Sequence, residues 1–128
     1  MNSNRFAAIG AFLGGLAVIL GAFGAHAIKD RVSLADLEVW KTGAHYQLVH
    51  AVALLALGLY DKTGRYRSVC WLWIVGIAIF GGSLYLLAVT DIKILGAITP
   101  LGGLCLIIGW IMLGINLLKN EDATSDRA

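Results

Sequence analysis

Few residues in this chain are able to do chemistry. They are His26, then His45, Tyr46, Gln47 and His50 in one short run, then Ser83 with Tyr85, and Thr99 ahead of the single proline, Pro100. An imidazole titrates near neutral pH, so His26 or His50 is a candidate proton carrier, and the hydroxyls and the Gln47 amide are groups that orient a small polar ligand. On a helix, Tyr46 lies about 40° to one side of His50 and Gln47 about 60° to the other, so the three form one polar stripe. His45 falls about 140° away on another face, which excludes a two-histidine ligand pair on that helix. Elsewhere no His or Cys pair has metal-site spacing, and there is neither a carboxylate pair nor a nucleophilic triad. No metal and no cofactor is expected.

The elements that must hold these groups follow from the charges. The chain has 128 residues, 59% of them apolar and only 14% charged, with a mean hydropathy of +0.79, which excludes a soluble globular enzyme. Four charge-free stretches remain, Phe6 to Ile28 (23 residues), Thr42 to Tyr60 (19), Ser68 to Thr90 (23) and Ile94 to Leu118 (25). Each is close to the roughly 20 residues that cross a hydrocarbon core. Uninterrupted apolar runs of this length must be helices, because lipid offers backbone groups no water. The fold expected is an all-α membrane protein, one domain of four transmembrane helices in an antiparallel bundle, with helices near 6–28, 34–60, 68–90 and 100–118 and a tail over 119–128. A formal net charge of +2 with no basic run of five residues excludes a nucleic-acid partner.

Local signals refine the boundaries. Ser33 followed by Asp36 reads as a capping box, so the second helix starts near Leu34, outside the bilayer, with Trp40 as a residue of the interfacial aromatic belt. Thr99-Pro100 reads as an N-cap with proline at the first helical position, which starts helix four at Pro100 and leaves Asp91 to Thr99 as a surface connection. A kinked helix from Ile94 is the alternative. Arg5, a long apolar run and Ala25-His26-Ala27 imitate a cleavable signal. A signal core, however, has about 7 to 15 residues rather than 23, and the glycines of this run suit a packed helix.

Gly10 with Gly14, and Ala78 with Gly82, have the spacing that lets membrane helices approach closely. Leu13-Gly14-Gly15-Leu16 with Ile19 and Gly21 recurs as Leu101-Gly102-Gly103-Leu104 with Ile107 and Gly109, which is compatible with chance in glycine-rich helices or with an inverted repeat. Cys70 and Cys105 differ in depth and read as small core residues rather than a disulfide.

Depth sorts the polar groups. His26 lies near the end of its stretch, Ser83 and Tyr85 in the last third of theirs, and Thr99 at the start of the fourth, all at the end where helix two enters with Tyr46 and Gln47. His50 is near the midplane, and the other half holds little beyond Asn116. Such a cluster, His26, Tyr46, Gln47, His50, Ser83, Tyr85 and Thr99, is either a set of hydrogen bonds that locks the bundle or a small cavity open to the outer face with a titratable histidine. No Asp or Glu lies within a span, so a carboxylate-driven transporter is excluded.

Gly-Ala-Phe-Gly-Ala-His-Ala (Gly21 to Ala27), Tyr-Gln-Leu-Val-His-Ala (Tyr46 to Ala51), Gly-Ser-Leu-Tyr (Gly82 to Tyr85) and Thr-Pro-Leu-Gly-Gly with Gly-Trp (Thr99 to Trp110) occur in this order. In these motifs the chain, from about Arg5 to Leu118, resembles the YgdD/YwdK family of small bacterial inner-membrane proteins, domain of unknown function 423. The resemblance implies a four-helix, multi-pass inner-membrane protein, a related eukaryotic family of small transmembrane proteins, and no assigned activity, substrate or cofactor. The family pattern has Phe-Ser-Gly-Ser where this chain reads Phe80-Gly81-Gly82-Ser83, one hydroxyl fewer.

Three functions compete. A non-enzymatic component that binds membrane lipid, another membrane protein or a second copy of itself comes first. A small-solute transporter or channel with an outward-facing polar cavity is the alternative, and an enzyme comes last for want of a catalytic constellation. If the helices alternate direction, six basic residues lie on the side of the termini (Arg5, Lys62, Arg65, Arg67, Lys119, Arg127) and four on the other (Lys29, Arg31, Lys41, Lys93), which favours cytoplasmic termini. A cysteine placed at position 36 should therefore react with a membrane-impermeant thiol reagent on intact cells, and one at position 125 should not; the opposite labelling would invert the topology.

Overall fold

The structure, a computed structural model, describes residues 2–125. Helix α1 (Ser3–Phe23) runs into a single π-helical turn, Gly24–Ile28, followed by α2 (Leu34–Tyr60), α3 (Arg67–Thr90) and α4 (Ile94–Ser125). All four are long and apolar enough to cross a membrane. Helix α1 packs along α2, α2 along α3 and α3 along α4, which makes α2 and α3 the inner, more buried pair and α1 and α4 the outer, more exposed one. The main core lies between the inner helices and is built on Leu54, Val69, Cys70 and Trp73, with Phe6 from α1 and Leu106 from α4.

The boundary of α2 follows the sequence signal, since the Ser33 hydroxyl accepts from the Asp36 N–H. That of α4 does not. Asp91 takes a left-handed conformation (φ 53°) that ends α3, and the Ile92 and Lys93 carbonyls at once accept from Leu95 and Gly96. The next helix is thus nucleated within three residues, and Pro100 lies inside it. Pro100 has no N–H for the Gly96 carbonyl, and the Thr99 hydroxyl donates to the Leu95 carbonyl instead of capping a helix start. Beyond 118 the chain continues as helix through Ser125, and residues 126–128 of the expected tail lie outside the described residues.

The short α2–α3 loop is organised by Asp61. Its carboxylate accepts from the N–H groups of Thr63, Gly64, Arg65 and Tyr66 and from the Thr63 hydroxyl. Burial pushes this carboxyl up, but the hydrogen bonds from Tyr66, Thr63 and Arg65 outweigh it and hold it below its ordinary value. Gly64 supplies the positive φ (78°) that the turn requires.

Helix contacts rest on glycine, because lipid removes the hydrophobic drive between helices and leaves close packing in its place. A Cβ at Gly10 would stand 2.5 Å from the Leu55 nitrogen, and one at Gly58 would meet the Ala7 backbone. Gly14 has more room, 3.8 Å from the Ala51 methyl. On α3 the close approach is at Gly76, against Leu106, while Gly81 has ordinary room, with Gln47 and Gly43 at 3.8 and 3.9 Å from its Cβ position. The pair expected from spacing does not pack in this way: Ala78 is exposed and nothing surrounds Gly82. The buried stripe runs through Ile77, Gly81, Leu84 and Ala88, one residue or about 100° away from it. Gly10→Ala and Gly58→Ala should each lower stability by about 1 to 3 kcal/mol through overpacking, whereas Gly15→Ala, which faces open space, should leave thermal unfolding in detergent unchanged or slightly raised.

Candidate functional site

The polar groups expected to form one cluster are distributed over three hydrogen-bonded ties between helices, and one of them lies outside. Gln47, on the buried face of α2, uses both ends of its amide. Its nitrogen donates to the Leu13 carbonyl of α1 at 2.9 Å, and its oxygen accepts from the Tyr85 hydroxyl of α3 at 2.9 Å. One side chain thus joins three helices.

His50, one turn further along α2, is 4% exposed, and both its ring nitrogens are bonded. A carbonyl only accepts and an indole only donates, so the two partners fix the tautomer. Nδ1 carries the proton and donates to the Tyr46 carbonyl at 2.7 Å, while Nε2 accepts from Trp110 Nε1 of α4 at 2.9 Å. The imidazole is neutral and lies edge-on to the Trp73 and Trp110 rings. Tyr46 adds its ring, packed 5.0 Å from that of Phe80, and its hydroxyl makes no bond within the protein among the described residues.

The third tie joins α3 to α4, where Ser83 and Thr99 meet hydroxyl to hydroxyl at 2.7 Å. Each also reaches a carbonyl of its own helix, Ser83 that of Phe80 and Thr99 that of Leu95. Two protons serve three contacts, so one contact at a time lacks a hydrogen.

His26 takes no part. It is exposed on the π turn, because that turn directs Gly24 and Ile28 inward instead. Asn116 is also apart, on α4. Trp40, expected in the interfacial belt, is turned inward: it is 6% exposed, donates to the Leu20 carbonyl at 2.8 Å and fills the space left by Gly24, where a Cβ would come within 2.5 Å of it. Trp110 and Leu13 complete ties that sequence reasoning does not assign. A backbone carbonyl partner leaves no sequence signal, whereas a tryptophan inside a span, with a donor that needs an acceptor, is one that could have paired Trp110 with His50.

Gln47, His50, Ser83 and Thr99 thus spend hydrogen bonds on one another's helices rather than leaving them all open. Among the described residues, two clefts between helices have largely apolar walls. One, about 540 Å³, lies at the end of α1 and is walled by Phe23, Ile28, Trp40, Tyr85 and Val89 with Arg31 at its edge. The other, about 440 Å³, lies between α2 and α4 over Trp73, among Ala53, Leu57, Tyr60, Trp110 and Leu113. No group of three or more His, Cys, Asp or Glu side chains is gathered for a metal among the described residues.

The profile of a family described as a protein of unknown function, DUF423, matches residues 20–103. The chain is 48% identical over 118 residues to the UPF0382 membrane protein YwdK of Bacillus subtilis, covering 89% of this chain and 96% of that one. It is 45% identical over 116 residues to the UPF0382 membrane protein SSP2132 of Staphylococcus saprophyticus, covering 89% and 97%. No solved structure matches.

The ties predict distinct costs. Gln47→Leu strands the Tyr85 hydroxyl and should destabilise the protein by about 1 to 2 kcal/mol, near the upper range for polar contacts between membrane helices. Gln47→Glu keeps an acceptor for Tyr85 but sets a carboxylate against the Leu13 carbonyl, and should cost more. His50→Leu, which leaves the Trp110 indole alone, should cost about 0.6 to 2 kcal/mol. Reversible unfolding in mixed micelles measures all three, and a stable Gln47→Glu protein would contradict the three-helix tie.

Proposed function

We propose, from the premise that the chain belongs to the DUF423 family, that it is a non-enzymatic, lipid-binding component of the bacterial inner membrane, with both termini in the cytoplasm. The observation that carries this reading is the apolar character of the clefts between helices, together with the mutual bonding of the buried amide, imidazole and hydroxyl groups. A transported polar solute needs unpaired donors and acceptors along its path, and in this bundle Gln47, His50, Ser83 and Thr99 are already engaged. A lipid chain needs only an apolar wall, such as Leu57, Trp73, Trp110 and Leu113 offer between α2 and α4. The catalytic alternative finds, among the described residues, no nucleophile bonded to an imidazole and no group gathered for a metal. The basic residues of the α2–α3 loop support the orientation.

The protein purified from its native membrane through delipidating detergent washes should carry a defined number of phospholipids in native mass spectrometry. A protein copurifying in equal amount with no retained lipid would replace lipid by a protein partner. Solute-dependent flux in proteoliposomes would restore the transporter.

A further inference from the structure

The cleft at the end of α1 differs from the other in one respect, which is charge. Apart from Arg31 its lining residues are apolar or aromatic and come from the end of α1, the π turn, the connection after it, α2 and α3. The polar atoms of its aromatic walls are already bonded inside the protein: the Trp40 indole donates to Leu20 and the Tyr85 hydroxyl to Gln47. Its single charged lining residue is Arg31, in the connection Lys29–Ser33 between the π turn and α2. Arg31 is exposed and makes no ion pair or side-chain hydrogen bond among the described residues. Asp30 and Lys29 flank it outside the lining and offset one another, which leaves the guanidinium as the net charge at the edge of the cleft.

The geometry points to a binding site for one anionic phospholipid, with an acyl chain between Phe23, Ile28, Trp40 and Val89 and the headgroup phosphate on Arg31. A guanidinium matches a phosphate with two parallel N–H donors. The site lies at the polar end of the spans, where headgroups lie, and the aromatic residues suit an interfacial chain segment. Its volume, about 540 Å³, falls within the roughly 300 to 1,000 Å³ of small-molecule sites. On the aromatic wall a polar solute finds the Trp40 and Tyr85 side-chain donors already engaged, and a neutral chain alone leaves Arg31 without a role.

This inference rests on the lipid-binding reading and narrows it. Full-length protein in nanodiscs of phosphatidylcholine mixed with phosphatidylglycerol, extracted and followed by native mass spectrometry, gives the headgroup preference of the retained lipid. Wild type should prefer phosphatidylglycerol by about fivefold, the effect of one basic group near a headgroup. Arg31→Gln should bring the ratio to one, Arg31→Lys should keep part of the preference, and Lys29→Gln should leave it unchanged. Ala27→Trp, which fills the cleft beside an intact Arg31, should reduce retained phosphatidylglycerol while thermal unfolding confirms the fold. Equal losses from Lys29→Gln and Arg31→Gln would reduce the effect to general surface charge and overturn the site, as would retention undiminished in Ala27→Trp. Lipid retained without headgroup preference overturns only this site; no retained lipid of either kind overturns the lipid-binding reading as well.

Discussion

Inside a hydrocarbon slab a polar side chain has no water to turn to, and this constraint shapes most of the bundle. Each amide, imidazole or hydroxyl placed within a span must find a partner on its own backbone or on a neighbouring helix. Gln47 finds one on each side and fixes α1 and α3 against α2. His50 reaches α4, which otherwise has little contact with α2, through the Trp110 indole. Ser83 and Thr99 set the register of α3 against α4 just before Pro100. These few bonds specify which helix meets which, a task that apolar surfaces cannot perform in lipid because the lipid is as apolar as they are.

Glycine supplies the closeness that such bonds need. The α1–α2 and α3–α4 pairs use the same device, an indole lying in the space where a glycine lacks a side chain. Trp40 lies against Gly24 and Trp73 against Gly109, and a Cβ on either glycine would stand 2.5 Å from the indole. The two indoles differ in their polar ends. Trp40 donates to Leu20 next to the π turn, where the wider helix accommodates an incoming donor. The Nε1 of Trp73 is buried without a partner among the described residues. A cost of roughly 1 to 3 kcal/mol attaches to such a group, and it is set against the burial of the largest side chain in the main core.

Architecture was legible in the sequence because charge is. Eighteen charged residues mark the ends of four spans, and the physics that excludes charge from lipid fixes span number and the antiparallel order. Helix α2 begins where Ser33 and Asp36 place it, since a cap is a local bond. The start of α4 differs from its sequence signal for the opposite reason: Thr99-Pro100 is a good local signal, but Asp91 in the left-handed region and the contact with Ser83 are tertiary facts that override it. Depth reasoning brings Gln47 into the right layer with Tyr85, and Ser83 with Thr99, because depth along a helix is a count of residues. It misplaces His26, whose direction depends on a π turn that adds one residue to the helical repeat and rotates the side chain outward. The Ala78 and Gly82 stripe fails similarly, as small-residue spacing gives a period but not which face meets a neighbour.

The same bonding explains why a polar cluster in a membrane is a weak sign of a polar ligand. A ligand site requires donors and acceptors left open, and a stable bundle requires them closed. The sequence lists the groups without saying which condition holds, and hydrogen-bond bookkeeping decides it. Gln47 has an amide N–H and its carbonyl oxygen engaged across helices, and His50 has both nitrogens engaged. The charged group without a partner at a cleft is Arg31, above a wall of aromatic and aliphatic side chains. Charge at the headgroup level over apolar surface within the span is the polarity profile of the bilayer itself, so the molecule best matched to that cleft is one that already has this profile.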